Sequence, residues 1–156
     1  MAQNTKLCAG DSSLFDNPAL YRTIGGALQY VTLTRPDLVF AVNKACQFMH
    51  SPSQNQWAAV KRILRYLKLT MNHQFVIPRS PNLALQAFTD SDWADSLDDR
   101  KSTSGYAIFF GNALISWSSK KQRNVARSSI ESDYKALTTR CVRVTAELYT
   151  VTITII

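Results

Sequence analysis

Cysteine is scarce in this chain, long apolar runs are missing, and the middle has no acid. The three cysteines, Cys8, Cys46 and Cys141, are odd in number and far apart. That speaks against a disulfide framework and against a zinc site, both of which need matched thiols. Such thiol usage fits a reducing compartment. No stretch approaches the roughly 18 consecutive apolar residues of a membrane helix, and the opening Met-Ala-Gln-Asn-Thr-Lys-Leu-Cys-Ala-Gly lacks an apolar signal region. The expectation is a soluble, intracellular protein that is not secreted, with a mitochondrial or a nuclear and cytoplasmic origin both open. The two histidines, His50 and His73, have no carboxylate nearby in sequence and suggest no catalytic pairing. Between Asp37 and Asp90 there is no acidic residue at all.

What is present suffices for a packed core: 46% of the 156 residues are hydrophobic, the size of one ordinary domain or two small ones. The formal charge is +7 and unevenly spread, with nine Lys/Arg against three Asp in residues 1–80 and nine against eight acids in residues 81–156. A basic surface of this kind attracts phosphate backbones by counterion release, although a basic protein can equally leave its charges solvated.

The front half reads as helical. Asp16-Asn17-Pro18 offers a capping side chain and a proline for a first turn, and Leu20, Ile24, Leu28 and Val31 follow at helical spacing. Gly25-Gly26 weakens that helix by about 1 kcal/mol per glycine relative to alanine, which predicts close packing of another backbone there. After Thr34-Arg35-Pro36-Asp37 a second helix is expected to bury Leu38, Val39, Val42, Ala45 and Phe48, and Ser51-Pro52-Ser53 ends it. The third, from Gln54 to Leu67, sets Trp57, Val60, Leu64 and Leu67 on one face and Lys61, Arg65 and Lys68 on another, with Arg62 widening the basic side. That basic face reads either as a solvated surface or, with Tyr66 beside it, as a track for phosphates.

From Gln74 the period shortens. Gln74-Phe75-Val76-Ile77-Pro78 reads as a short strand, residues 79–82 as a turn, and Leu83 to Thr89 as a strand running into Asp90-Ser91-Asp92-Trp93. Tyr106 to Phe110 and Ala113 to Ser118, joined by Gly111-Asn112, form a hairpin, so a three-strand antiparallel meander is expected. Ser128-Ser129-Ile130-Glu131 matches a helix start with a hydroxyl cap, and Tyr134, Leu137 and Cys141 continue it. The alternating segment 150–156 ends abruptly and reads as a truncation, with residues 141–156 a candidate frameshift tail.

The chemistry-bearing pattern is the pair of acidic clusters. Asp90 and Asp92 end a strand, and Glu131 and Asp133 open a helix, an arrangement suited to holding magnesium against a phosphodiester. Four blocks carry a family resemblance: residues 87–94 (Ala-Phe-Thr-Asp-Ser-Asp-Trp-Ala), 99–106 (Asp-Arg-Lys-Ser-Thr-Ser-Gly-Tyr), 111–122 (Gly-Asn-Ala-Leu-Ile-Ser-Trp-Ser-Ser-Lys-Lys-Gln) and 126–137 (Ala-Arg-Ser-Ser-Ile-Glu-Ser-Asp-Tyr-Lys-Ala-Leu). In order and spacing they resemble the ribonuclease H region of copia-type LTR retrotransposon Pol polyproteins. Upstream, Leu33-Thr34-Arg35-Pro36-Asp37 and residues 59–68 resemble the segment joining reverse transcriptase to that region. The chain is also similar to isolated open reading frames of this kind in plant genomes, mitochondrial ones included.

The resemblance implies an α/β fold: a helical reverse transcriptase connection segment over residues 1–73, then over residues 74–156 an incomplete ribonuclease H-like mixed sheet with a flanking helix. It implies a parent activity, magnesium-dependent hydrolysis of the RNA strand of RNA/DNA hybrids. Asp90 matches the first metal ligand and Asp133 the second, one methylene shorter than the family's usual glutamate, with Glu131 close by. The third and fourth family ligands have no counterpart in this sequence, so the chain is expected to be catalytically inactive. The partners implied are an RNA/DNA hybrid or other nucleic acid and the remainder of a polyprotein, with no membrane and no small-molecule substrate. Three readings compete: a working nuclease at Asp90 and Asp133, a non-catalytic nucleic-acid-binding piece using Lys61, Arg65, Lys68, Lys120, Lys121 and Arg123, and a degenerate fragment without a present role. Trp93 and Trp117 read as packing residues rather than base platforms, Asp92 as a strand-end cap or an auxiliary ligand, and Ser102-Thr103-Ser104 as a turn or a phosphate contact.

Overall fold

The computed structural model describes residues 7–10, 12–77 and 84–139. The chain divides into two compact units, Met1–Phe75 and Val76–Ile156. No helix among the described residues is long and apolar enough to cross a membrane.

The first unit is a small helical bundle. Helix α1 (Pro18–Val31) starts where Asn17 accepts a 3.0 Å hydrogen bond from the Leu20 amide and Pro18 occupies a position that has no amide partner to lose. A 3-10 turn (Pro36–Leu38) leads into α2 (Val39–Cys46), and Ser53 with Gln56 forms a reciprocal capping box at the start of α3 (Gln54–Leu69). The core is apolar and closed: Tyr21, Leu28, Leu38, Ala41, Val42, Ala45, Val60 and Ile63. Tyr21 is fully buried, with its hydroxyl donating to the Ala45 carbonyl at 2.9 Å. Burial and then the nearby Cys46 thiol push its phenol well above the ordinary range. Trp57 stacks on Phe15 at 4.6 Å between ring centroids.

Two expectations are corrected here. On α3 the buried positions are Gln56, Val60 and Ile63, while Leu64 is exposed. Gln56 turns inward because it caps Ser53 and donates to the Cys8 carbonyl at 2.8 Å, which rotates the buried face toward positions 56, 60 and 63. Phe48 lies beyond the end of α2 and is only half-buried. At Gly25 the close neighbour is a side chain and not the expected backbone, since a Cβ would meet Met49 Cε at 2.8 Å, and nothing crowds Gly26 among the described residues.

The second unit is a meander with a helix. Strands β1 (Leu85–Asp92), β2 (Thr103–Phe110) and β3 (Ala113–Lys121) pair antiparallel in the order β1-β2-β3, with Asp90 opposite Gly105 and Ser91 opposite Ser104. A bulge at Ile108/Phe109 shifts the β2–β3 register. Helix α4 covers residues 129–139. The strands are longer than expected: β1 continues through the acidic motif, and Thr103 and Ser104 are strand rather than turn. Ser102, fully buried, accepts from the Ala94 amide at 3.2 Å and closes the β1–β2 connection. Residues 74–77, expected as strand, are irregular and exposed: with no partner strand beside them among the described residues, apolar composition alone does not make a ladder. The turn at 79–82 and the tail at 141–156 lie outside the described residues.

Candidate functional site

Strand alternation decides where the acids of β1 point. Gln86, Phe88, Asp90 and Asp92 lie on the exposed face, whereas Leu85, Ala87, Thr89 and Ser91 lie on the half-buried one. The side chain of Ser91, not that of Asp90, therefore meets α4, in a short hydroxyl contact with Ser132. Gln122, just past β3, completes this junction. Its Nε2 donates to Ser104 Oγ at 2.7 Å and to the Ser132 carbonyl at 2.9 Å, with Ser132 Oγ and Ser91 Oγ at 3.2 and 3.4 Å. Its Oε1 is buried and has no hydrogen-bond partner among the described residues.

Asp90 is exposed and accepts from the Ser91 amide at 2.8 Å through Oδ1. Asp133 is exposed on α4. Glu131 is occupied by the helix start: Oε2 accepts from the Arg127 amide at 2.8 Å, Oε1 pairs with Lys135 at 2.7 Å, and its own amide donates to Ser128 Oγ at 3.1 Å. The hydrogen bond from Lys135, then that from the Arg127 amide, holds its carboxyl below the usual glutamate range. No group of three or more His, Cys, Asp or Glu among the described residues could hold a metal ion. The carboxylates present do not fit a two-cation centre, because Glu131 is committed to its cap and Asp90 faces away from the junction with α4.

The basic residues divide into engaged and free. Lys121 bonds Asp99 at 2.7 Å and Ser96 Oγ at 2.9 Å, pinning the connection in which Ala94 and Arg100 take positive φ. Burial raises the Asp99 pKa, but the hydrogen bonds from Lys121 and Ser96, with the Lys121 charge, outweigh it and hold the carboxyl well below the usual range. Arg35 is likewise spent: it grips Asp37 at 2.8 Å, reaches Thr70 Oγ1 at 2.9 Å and lies over the Tyr66 ring, tying the 3-10 turn to the end of α3. Tyr66 completes this clamp by donating to Asp37 at 3.0 Å. By contrast Lys61, Arg62, Arg65 and Lys68 on α3, Lys120 near the end of β3 and Arg123 just past it are exposed and have no ionic partner among the described residues. Trp93 donates its indole N–H to the Ala126 carbonyl at 3.0 Å, which accounts for it structurally. Neither Cys8 nor Cys46 forms a disulfide among the described residues, and burial raises the Cys46 pKa.

Sequence reasoning missed Gln122, Ser91, Ser104 and Ser132. The available signal was the two-residue period of β1: a serine on the face shared with Leu85 and Ala87 must meet a partner when that face is covered.

The chain is similar to a retrovirus-related Pol polyprotein from transposon RE2 of Arabidopsis thaliana, 45% identical over 137 residues, which is 88% of this chain and 9% of the polyprotein. An uncharacterized mitochondrial protein of the same plant is 49% identical over 123 residues, 79% of this chain and 51% of that protein. A protein of Plasmopara viticola named secreted RxLR effector protein 161 is 42% identical over 118 residues, 75% of this chain and 83% of that protein. No family model and no solved structure matches.

Proposed function

The chain belongs to the copia-type retrotransposon Pol polyprotein family, and on that premise we propose that it binds nucleic acid without regard to sequence and does not cleave it. The observation that carries this reading is the outer face of α3, where Lys61, Arg62, Arg65 and Lys68 stand exposed with no ionic partner among the described residues. At a helical rise of about 1.5 Å per residue, Lys61, Arg65 and Lys68 are spaced roughly 4.5–6 Å apart along the axis, a row of point charges suited to a phosphate backbone. We read residues 1–75 as the connection segment of a reverse transcriptase and residues 76–156 as ribonuclease H-like. The meander followed by a capped helix, together with the order of the four motif blocks, supports that assignment.

Magnesium enters this reading only through the family. Asp90 and Asp133 match the family's first two ligand positions, but Asp90 faces away from the junction with α4, and two carboxylates supply too few fixed oxygens for two cations. Hydrolysis is therefore left out of the proposed activity.

The test is anisotropy of a labelled RNA/DNA hybrid across a salt series. A duplex loses affinity with a log–log slope of about −0.9 per neutralised phosphate, so the four cations of α3 predict a slope of about −3 to −4. Replacing Lys61, Arg65 and Lys68 by alanine should flatten it by about 2–3, and an unchanged slope would remove the assignment. In parallel, hybrid cleavage with magnesium that disappears in Asp90→Asn would establish catalysis and overturn the non-cleaving reading.

A further inference from the structure

A cleft of about 570 Å³ lies between the sheet and α4, within the roughly 300–1,000 Å³ range of small-ligand sites. Tyr106 of β2, Tyr134 of α4, Lys120 near the end of β3 and Arg123 just past it are among the residues that line it. Three features single it out. Neither tyrosine ring packs on another aromatic ring among the described residues. The cations divide, with Lys121 and Lys135 held by Asp99 and Glu131 while Lys120 and Arg123 have no ionic partner among the described residues. Finally, Tyr134 is 66% exposed, an apolar ring left in water on a helix whose opposite side buries Ser132 and Ala136.

We propose that this cleft takes one unpaired nucleotide, its base against Tyr134 and its phosphate on Lys120 and Arg123. The inference rests on the nucleic-acid reading above and adds to it a preference for single strands. A base inside a duplex already has both faces stacked and cannot enter, whereas an unpaired base of any identity offers a face to an aromatic ring. The nucleotide is either a unit of a strand or a free nucleoside monophosphate.

Anisotropy with a short labelled oligothymidylate and with a duplex of the same length separates these possibilities, with adenosine monophosphate as competitor. The parent chain should prefer the single strand. Tyr134→Ala should weaken single-strand binding by about tenfold and leave duplex binding unchanged, and Arg123→Ala should weaken it less. Thermal melts of both variants should match the parent, since both side chains are exposed. Competition by the monophosphate would assign the site to free nucleotides, and its absence, with the Tyr134 effect retained, to a strand. Equal affinity for strand and duplex, or a Tyr134→Ala variant that keeps the preference, overturns the cleft assignment. Salt-sensitive duplex binding would then leave the broader reading in place, and failure to bind either nucleic acid overturns both.

Discussion

The two units keep their shape by different means. Residues 1–75 bury a closed apolar set around Tyr21, Val42, Val60 and Ile63, and their polar contacts, Ser53 with Gln56 and Arg35 with Asp37 and Tyr66, trim the ends of helices. Among the described residues of 76–156 the buried apolar side chains are Ile108, Ala113, Ala126 and Ala136, mostly small, while Phe88, Ile130 and Tyr134 are each at least 60% exposed. What joins sheet to helix there is polar: Gln122 with Ser91, Ser104 and Ser132. Burial is non-directional and tolerates small shifts, whereas a hydrogen-bonded junction depends on each partner being present. The helical unit should therefore yield to cavities, and the sheet unit to lost hydrogen bonds and to acid.

The sharpest way to break this comparison lies in α3. Ile63→Ala should cost about 2–5 kcal/mol in urea unfolding, and Leu64→Ala less than about 1 kcal/mol, since only the former opens a cavity. Equal losses would mean that the buried face has been wrongly drawn. Next, Gln122→Leu should destabilise the sheet unit by about 1–3 kcal/mol, because the Ser132 carbonyl and Ser104 lose their donor. Amide hydrogen exchange should show the loss in α4 and not in residues 18–69, and unchanged α4 protection would remove Gln122 from the junction. Ser128→Ala should cost about 1 kcal/mol as a lost helix cap, again read from α4 exchange.

The smallest effect is the pH dependence of the sheet unit. Asp99 and Glu131 both have pKa values lowered in the folded state. Their contribution is thus complete above the unfolded values near ~4 and disappears as pH falls through the folded ones. An exposed pair such as Asp99 with Lys121 contributes about 0.2–1 kcal/mol. Lys121→Met should reduce the acid sensitivity of the β1–β2 connection, and an unaltered pH profile would show that the ion pair does not pin it.

Much of this was legible residue by residue. Asn17-Pro18 and Ser53 with Gln56 declare helix starts because their chemistry is local, and Gly111-Asn112 between two β-prone runs declares a hairpin for the same reason. Periodicity was less exact: it gave α3 an apolar face but set Leu64 inside instead of Ile63, since the inward turn of Gln56 depends on Cys8, 48 positions away. The short strand expected at 74–78 failed in its described part because a strand needs a partner that composition cannot supply. Of the candidate site residues, Lys61, Arg65, Lys68 and Lys120 are exposed without ionic partners among the described residues, whereas Lys121 is engaged by Asp99 and by Ser96, 25 positions away, and Glu131 by its helix neighbours Arg127 and Lys135.

By itself the sequence determined the family, the helical and β-rich halves, the helix caps and the excess of positive charge over the first 80 residues. These follow from residue identity and near-neighbour spacing, which no fold needs to supply. The tertiary structure alone decided that Asp90 faces away from α4 while Ser91 faces toward it, that Gln122 links three elements, and which lysines are free. Those outcomes depend on strand register and on side chains meeting across long sequence separations, where a single step along β1 moves a carboxylate from one face of the sheet to the other.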